Sequence, residues 1–167
     1  MNRPGAERRS APIDKVVADL SETPKRLAAL TAALTPAKLR ARPGRDEWSA
    51  NDVLAHLRAC ADVWGGCISR ILAEDRPTLR AVNPRTWIAS TDYPALEFRP
   101  SLRAFSKQRA ELLAVLEPLS NRAWSRAATV RGAGAVLERN ALFYAQWLAR
   151  HERPHLKQVE RVVRAMG

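Results

Sequence analysis

The last part of the chain carries an apolar stripe that limits what the chain can fold into. Leu137, Ala141, Tyr144, Leu148, His151, His155, Val159, Val162 and Met166 follow one another at intervals of three and four residues. This spacing puts every member on one face of an α-helix, predicted from about Val136 to Met166. A helix with one apolar face has to be covered by other elements, so the chain must supply partners for it.

Three further stretches repeat the pattern. Ile13, Val16, Val17 and Leu20, continued by Leu27, Leu30 and Leu34, predict a first helical element over Ile13–Leu34. Within it, Thr23-Pro24 either starts a second short helix or kinks a single one. Val53, Leu54, Leu57, Ala61, Trp64, Ile68 and Ile71 predict a second helix, running to about Glu74. Ser49 is suited to its N-cap with Asp52 at N3, and Trp48 with Val53 to a hydrophobic staple. Leu102, Phe105, Leu112, Leu113 and Leu116 predict the third. Arg76–Pro100, with Pro77, Pro84, Pro94 and Pro100, reads as a long connection, and Leu119–Ala135 as another loop. No run alternates as a strand would. Four amphipathic helices without strands predict an all-α four-helix bundle.

The chain's 167 residues suit one domain, expected over residues 12–167 behind a basic tail at 1–11. Apolar residues make up 46%, and no run approaches the ~18 needed to span a membrane. No apolar segment follows "MNRPGAERRSAP", so a secretory signal is not expected. Cys60 and Cys67 would stand about 10 Å apart along a helix, too far for a disulfide. That fits a reducing compartment, and a cytoplasmic location is expected. The net charge of +11 raises the question of nucleic acid. The arginines are spread along the whole chain, with no run longer than Arg8-Arg9. They are therefore read as a solvated basic surface and not a specific nucleic-acid site.

His151 and His155 sit one turn apart on the apolar stripe, where both imidazoles can reach one ion. Two readings fit the pair alone: ligands of a metal, or core histidines hydrogen-bonded to neighbours. His56, at the border of the second helix's apolar face, favours the first, because all three histidines can then face the bundle interior. Three neutral imidazoles with an open position suit a catalytic type of zinc, nickel or iron site. "HERPH" also matches the H-E-x-x-H signature of zinc proteases, but three features oppose that reading. Pro154 interrupts the motif and is expected to bend the helix between the two histidines. No third ligand follows downstream, since Glu160 points off the stripe. No sheet is predicted that could align a peptide.

Other residues keep two readings each. Glu152 flanks the stripe, as a support for a ligand or on a solvated face. Cys60, one turn after His56, is a fourth ligand or an inert buried thiol. Asp52 is a general base or only a helix cap. Tyr144 and Trp147 line a pocket or belong to the core. "VRGAGAV" binds an anion at a helix start or is a plain loop.

"EWSANDVLAHL", then "LSNRAWSRAATVRGAGAV", then "ARHERPHLKQVE" resemble the DinB-like (DinB/YfiT) superfamily across roughly Val16–Val163. The resemblance rests on Trp48 with His56 eight residues later, and on His151 and His155 followed by Leu156 and Gln158. It implies a four-helix bundle with up-down-down-up connectivity, for which a long connection between helices two and three is required. It also implies a divalent metal, zinc or nickel, on His56, His151 and His155. By the same resemblance, the chain is expected to act on a small-molecule substrate, as a hydrolase or as a transferase using a low-molecular-weight thiol, and to form a homodimer. The competing functions are a non-enzymatic basic binding protein and a catalytically silent bundle.

Overall fold

The computed structural model describes residues 10–167; the expected tail falls outside these residues as far as residue 9. Helix α1 (Ala11–Thr31) is followed by the short α2 (Pro36–Arg40) and by α3 (Ala50–Ala73). Strand β1 (Thr78–Arg80), helix α4 (Pro84–Trp87) and two 3-10 turns lead to α5 (Phe98–Leu116). Helix α6 (Asn121–Trp124), strands β2 (Ala127–Arg131) and β3 (Leu137–Asn140), and α7 (Ala141–Met166) complete the order. The four long helices, α1, α3, α5 and α7, form the bundle. Among the described residues no helix is long and apolar enough to cross a membrane.

Side-chain pairs fix the direction of each helix. Asp19 meets Arg153 and Arg26 meets Glu160, so α1 and α7 run parallel. His56 meets His155 and Trp64 meets Trp147, so α3 and α7 are antiparallel. Arg109 reaches the Leu20 carbonyl and Arg99 that of Thr31, which makes α1 and α5 antiparallel. Arg58 bonds Ser101 and Gln108 bonds Asp62, so α3 and α5 are parallel. The connectivity is thus up-down-down-up. Two consecutive parallel helices need a return path along the bundle, about 36 Å for a helix the length of α3, and the Arg76–Pro100 region supplies it.

The second helix begins as expected. The Ser49 hydroxyl accepts from the Asp52 amide, and the Asp52 carboxylate accepts from the Ser49 amide, closing a capping box. The first element is one helix through Pro24, not two. The third starts at Phe98, earlier than its apolar stripe suggested. Pro100 therefore lies in its first turn, where a missing N–H leaves no helical bond unmade.

The absence of strands was a wrong expectation. β1 pairs parallel to β2, and β2 pairs antiparallel to β3. Strands of three to five residues are too short to display alternation. The "RGAGA" segment is the turn of a hairpin, and Gly132 and Gly134 take φ of 89° and 87° there, a region open to glycine at little cost. Leu137–Asn140 is consequently strand, and the last helix starts at Ala141, not near Val136. Its N-cap is Asn140, whose side chain accepts from the Phe143 amide at 2.7 Å.

A polar layer divides the core into two apolar halves. On one side lie Val16, Leu20, Ile68, Leu116, Trp124 and Leu148. On the other lie Leu27, Leu54, Leu57, Phe105, Leu156 and Val159. Thr23 on α1, Arg109 on α5 and Glu152 on α7 sit between the halves, each at most 2% exposed. Arg109 holds the Glu152 carboxylate with both terminal nitrogens, and the Thr23 hydroxyl donates to Glu152 Oε2 at 2.7 Å. Glu152 is therefore in the centre of the core and not on its flank. The buried line of α7 runs Leu148, Glu152, Leu156, Val159, leaving His151 and His155 half-buried beside it.

Candidate metal centre

The same layer continues onto α3 with His56 and Cys60. His56 is almost fully buried. Its Nε2 lies 2.9 Å from His151 Nε2, which lies 3.2 Å from His155 Nε2. The three predicted histidines are thus brought together with their Nε2 atoms facing one another. Two of them come from α7 one turn apart, and the third crosses from antiparallel α3.

Two tryptophans hold the rings. Trp48, just before the α3 cap, packs edge-on to His56 with centroids 5.2 Å apart and stacks on His155 at 6.1 Å. Trp64, two turns after His56, meets His151 edge-on at 5.0 Å. Neither ring contact was expected from the sequence; the only signal was that Trp48 and Trp64 stand eight residues before and after His56. Gln158 Oε1 lies 2.9 Å from His155 Nδ1. The carboxamide oxygen only accepts, so Nδ1 carries the proton and Nε2 presents a lone pair.

Burial pushes the basicity of His56 and His151 down to about 4, helped by the neighbouring rings and by Arg85. His155 is lowered as well, again chiefly by burial, against the opposing Gln158 hydrogen bond. All three imidazoles are neutral at pH 7. With His155 Nε2 unprotonated, at most one ring proton can serve both short nitrogen contacts of His151. A cation resolves this crowding. Nitrogens bound tetrahedrally at 2.0–2.1 Å stand about 3.3 Å apart, close to the separations found. The donor set therefore fits a divalent ion.

Cys60 Sγ lies 3.5 Å from His56 Nε2. The ligand atoms of His56, Cys60 and His151 are all within 4.8 Å of one another, and His155 stands outside that group. Burial pushes the Cys60 thiol up to about 12, with Glu152 adding to the effect. Asp52 is occupied as a cap: it accepts from the Ser49 amide and hydroxyl and from Arg42 Nε. Burial raises its pKa, but these bonds outweigh that and hold it below the ordinary carboxylate value. Tyr144 is buried, whereas Trp147 is 40% exposed and packs on Trp64 and Phe143.

Two openings reach the histidines. A cleft of about 640 Å³ is lined by Trp48, Arg85, His155, Gln158 and Arg161. A smaller cavity of about 270 Å³ reaches His56 beside Trp48 and Arg85. Arg85 borders both.

The family model of the DinB superfamily matches residues 19–159. Comparison with curated proteins gives no match. Among solved structures, the chain is similar to YfiT from Bacillus subtilis, described as a probable metal-dependent hydrolase with an unusual four-helix bundle topology. The TM-score is 0.78 at 18% identity, over 99% of this chain and 94% of that one. At this identity the likeness establishes the fold.

Proposed function

The chain belongs to the DinB superfamily, and on that premise we propose that it is a metal-dependent enzyme whose divalent ion, zinc or nickel, is held by His56, His151 and His155. The observation that carries the reading is the convergence of three neutral imidazole Nε2 atoms at 2.9 and 3.2 Å beside an open cleft. When bound, an ion with three neutral ligands keeps its full charge and can polarise a carbonyl, acidify water or bind a thiolate.

The chain's own residues prepare that position. Gln158 fixes the tautomer of His155, and such outer partners raise ligand basicity and set ring orientation. Trp48 and Trp64 pack on the rings and restrict their rotation. Arg109 neutralises Glu152, so no free carboxylate competes for the ion from within the core. The open cleft suits a small-molecule substrate. Hydrolysis of an amide or thioester is the leading reaction, supported by the description of the similar YfiT structure. Transfer from a low-molecular-weight thiol is the alternative that the same ion would serve. A cytoplasmic homodimer remains the expected setting.

The test is metal analysis of protein purified without a polyhistidine tag and without added metal. About one zinc or nickel per chain is expected, reduced strongly by His56→Ala, His151→Ala or His155→Ala. A parent that takes up no metal even on dialysis against zinc or nickel would end the enzyme reading and leave a silent bundle.

A further inference from the structure

Two arginines and two carboxylates line the larger cleft beside the histidines. Every nearby carboxylate on the bundle is engaged: Glu152 with Arg109, and Asp52 with Ser49 and Arg42. Arg85 and Arg161, by contrast, line the cleft with no carboxylate within ion-pair distance among the described residues. Asp46 and Glu47 also line the cleft, exposed like the two arginines, and neither is within ion-pair distance of Arg85.

Arg85 is held where it is by the connection between α3 and α5. The Asn83 side chain caps α4 through the Arg85 amide at 2.9 Å. Downstream, Asp62 accepts from the Trp87 indole, the Tyr93 hydroxyl and Gln108. Asn51 bonds the Leu96 carbonyl at 3.1 Å, and Arg58 stacks over the Tyr93 ring at 3.9 Å. The long connection is therefore pinned along α3, and it presents an unpaired guanidinium at the junction of the two openings, next to Trp48. A planar guanidinium with no protein acid is suited to pairing with a carboxylate.

From this arrangement we infer that the cleft contains a carboxylate-binding subsite at Arg85, so that the substrate is a small organic acid whose anionic end pairs with Arg85 while its reacting group faces the three histidines. Arg161, farther along the same cleft, contributes long-range attraction, not the direct contact. The inference rests on the proposed metal-enzyme reading for the identity of the reacting centre, but the subsite itself needs no metal.

The test uses succinate against its neutral diamide, succinamide, at low ionic strength because exposed charges are screened by salt. Binding is read from the Trp48 indole N–H in proton–nitrogen spectra, with metal-free and zinc-loaded protein in parallel. Succinate should bind the metal-free parent about tenfold more tightly than the diamide, as a charge-assisted pair predicts. Arg85→Gln should abolish that preference, Arg85→Lys should keep part of it, and Arg161→Gln should change it by less than about threefold. Arg85 is exposed and makes no side-chain hydrogen bond or ion pair among the described residues, so the variants should keep the parent's helical content. Equal binding of acid and diamide by the metal-free parent would overturn the inference. So would a preference that survives Arg85→Gln or that disappears only with Arg161→Gln. Zinc uptake is measured separately: a chain that binds no zinc but prefers succinate through Arg85 loses the metal reading and keeps the subsite.

Discussion

Arg109 Nη1 donates to the carbonyl of Leu20 at 2.8 Å, which is the carbonyl that Pro24 leaves without its helical donor. Leu20 is fully buried, so water cannot serve it, and an unmade bond there would cost about 1–3 kcal/mol. One guanidinium therefore repairs the first helix and binds Glu152 on the last. The proline in α7 has no such arrangement; Arg150, four residues before Pro154, is on the exposed side of the helix where solvent can serve.

The repair predicts coupling between two residues distant in sequence. Arg109→Met leaves the Glu152 carboxylate without its counter-charge, with only the Thr23 hydroxyl, and the Leu20 carbonyl without a donor, and should destabilise the protein by about 3–5 kcal/mol. Pro24→Ala restores an N–H to the Leu20 carbonyl. In the double variant the loss on removing Arg109 should be smaller by about 1 kcal/mol. Urea denaturation of the four proteins of the cycle measures it, and additive effects would refute the assignment.

Gln158 should matter to metal affinity without touching the metal. Gln158→Leu removes the acceptor at His155 Nδ1 and frees the ring to take either tautomer. Loss of such a partner typically weakens metal binding about 10–100-fold. Competition with a chromogenic chelator should show this drop, with thermal stability of the metal-free protein nearly unchanged.

The four long helices and the three histidines were legible because each rests on local periodicity, which a sequence displays directly. The capping box at Ser49 and Asp52 was legible for the same reason. What the sequence hid depends on distant partners. β1 is three residues long and exists only because it pairs with β2, about fifty residues away. Glu152 looked like a flanking residue because the histidines beside it completed the apolar stripe. Its burial is stable only with Arg109, and Arg109 itself lies on the line from Phe105 to Leu112 and Leu116, a charged residue in an apolar register that signalled a buried pair. Arg85 had no signal at all, since nothing in a proline-rich connection tells which side chain will face the site.

The Asn140 cap sets where the histidine-bearing helix begins. Asn140→Ala removes the bond to the Phe143 amide and should cost about 1 kcal/mol. His151 lies about three turns farther on, so metal affinity should change little. A melting curve and a metal titration of the same variant separate the two effects.

Protonation gives the last prediction, in two parts. His56 and His151 are held to about 4 in the folded protein by burial and by neighbouring positive charge, against about 6.5 in the unfolded chain. Between those values the unfolded chain binds more protons than the folded one. The contribution of these two rings to the stability of the metal-free protein is thus complete above about pH 6.5 and is lost as pH falls toward 4. Chemical denaturation across that window should show the decline, and His56→Ala should flatten it. The same neutrality sets the proton balance of metal uptake. At pH 6 His56 and His151, held at about 4, have no proton to give up, and zinc-bound water, with a pKa near 7, keeps most of its own. The Cys60 thiol, pushed up to about 12, would release one proton per ion if it became a ligand. Cys60 Sγ groups with His56 and His151 but not with His155, so the three-histidine reading leaves it a protonated thiol beside the site. Calorimetry of zinc binding at pH 6, in buffers of different ionisation enthalpy, should therefore show the same release in the parent and in Cys60→Ala. Release of about one proton in the parent, absent in Cys60→Ala, would make Cys60 the fourth ligand and close the position that the enzyme reading requires.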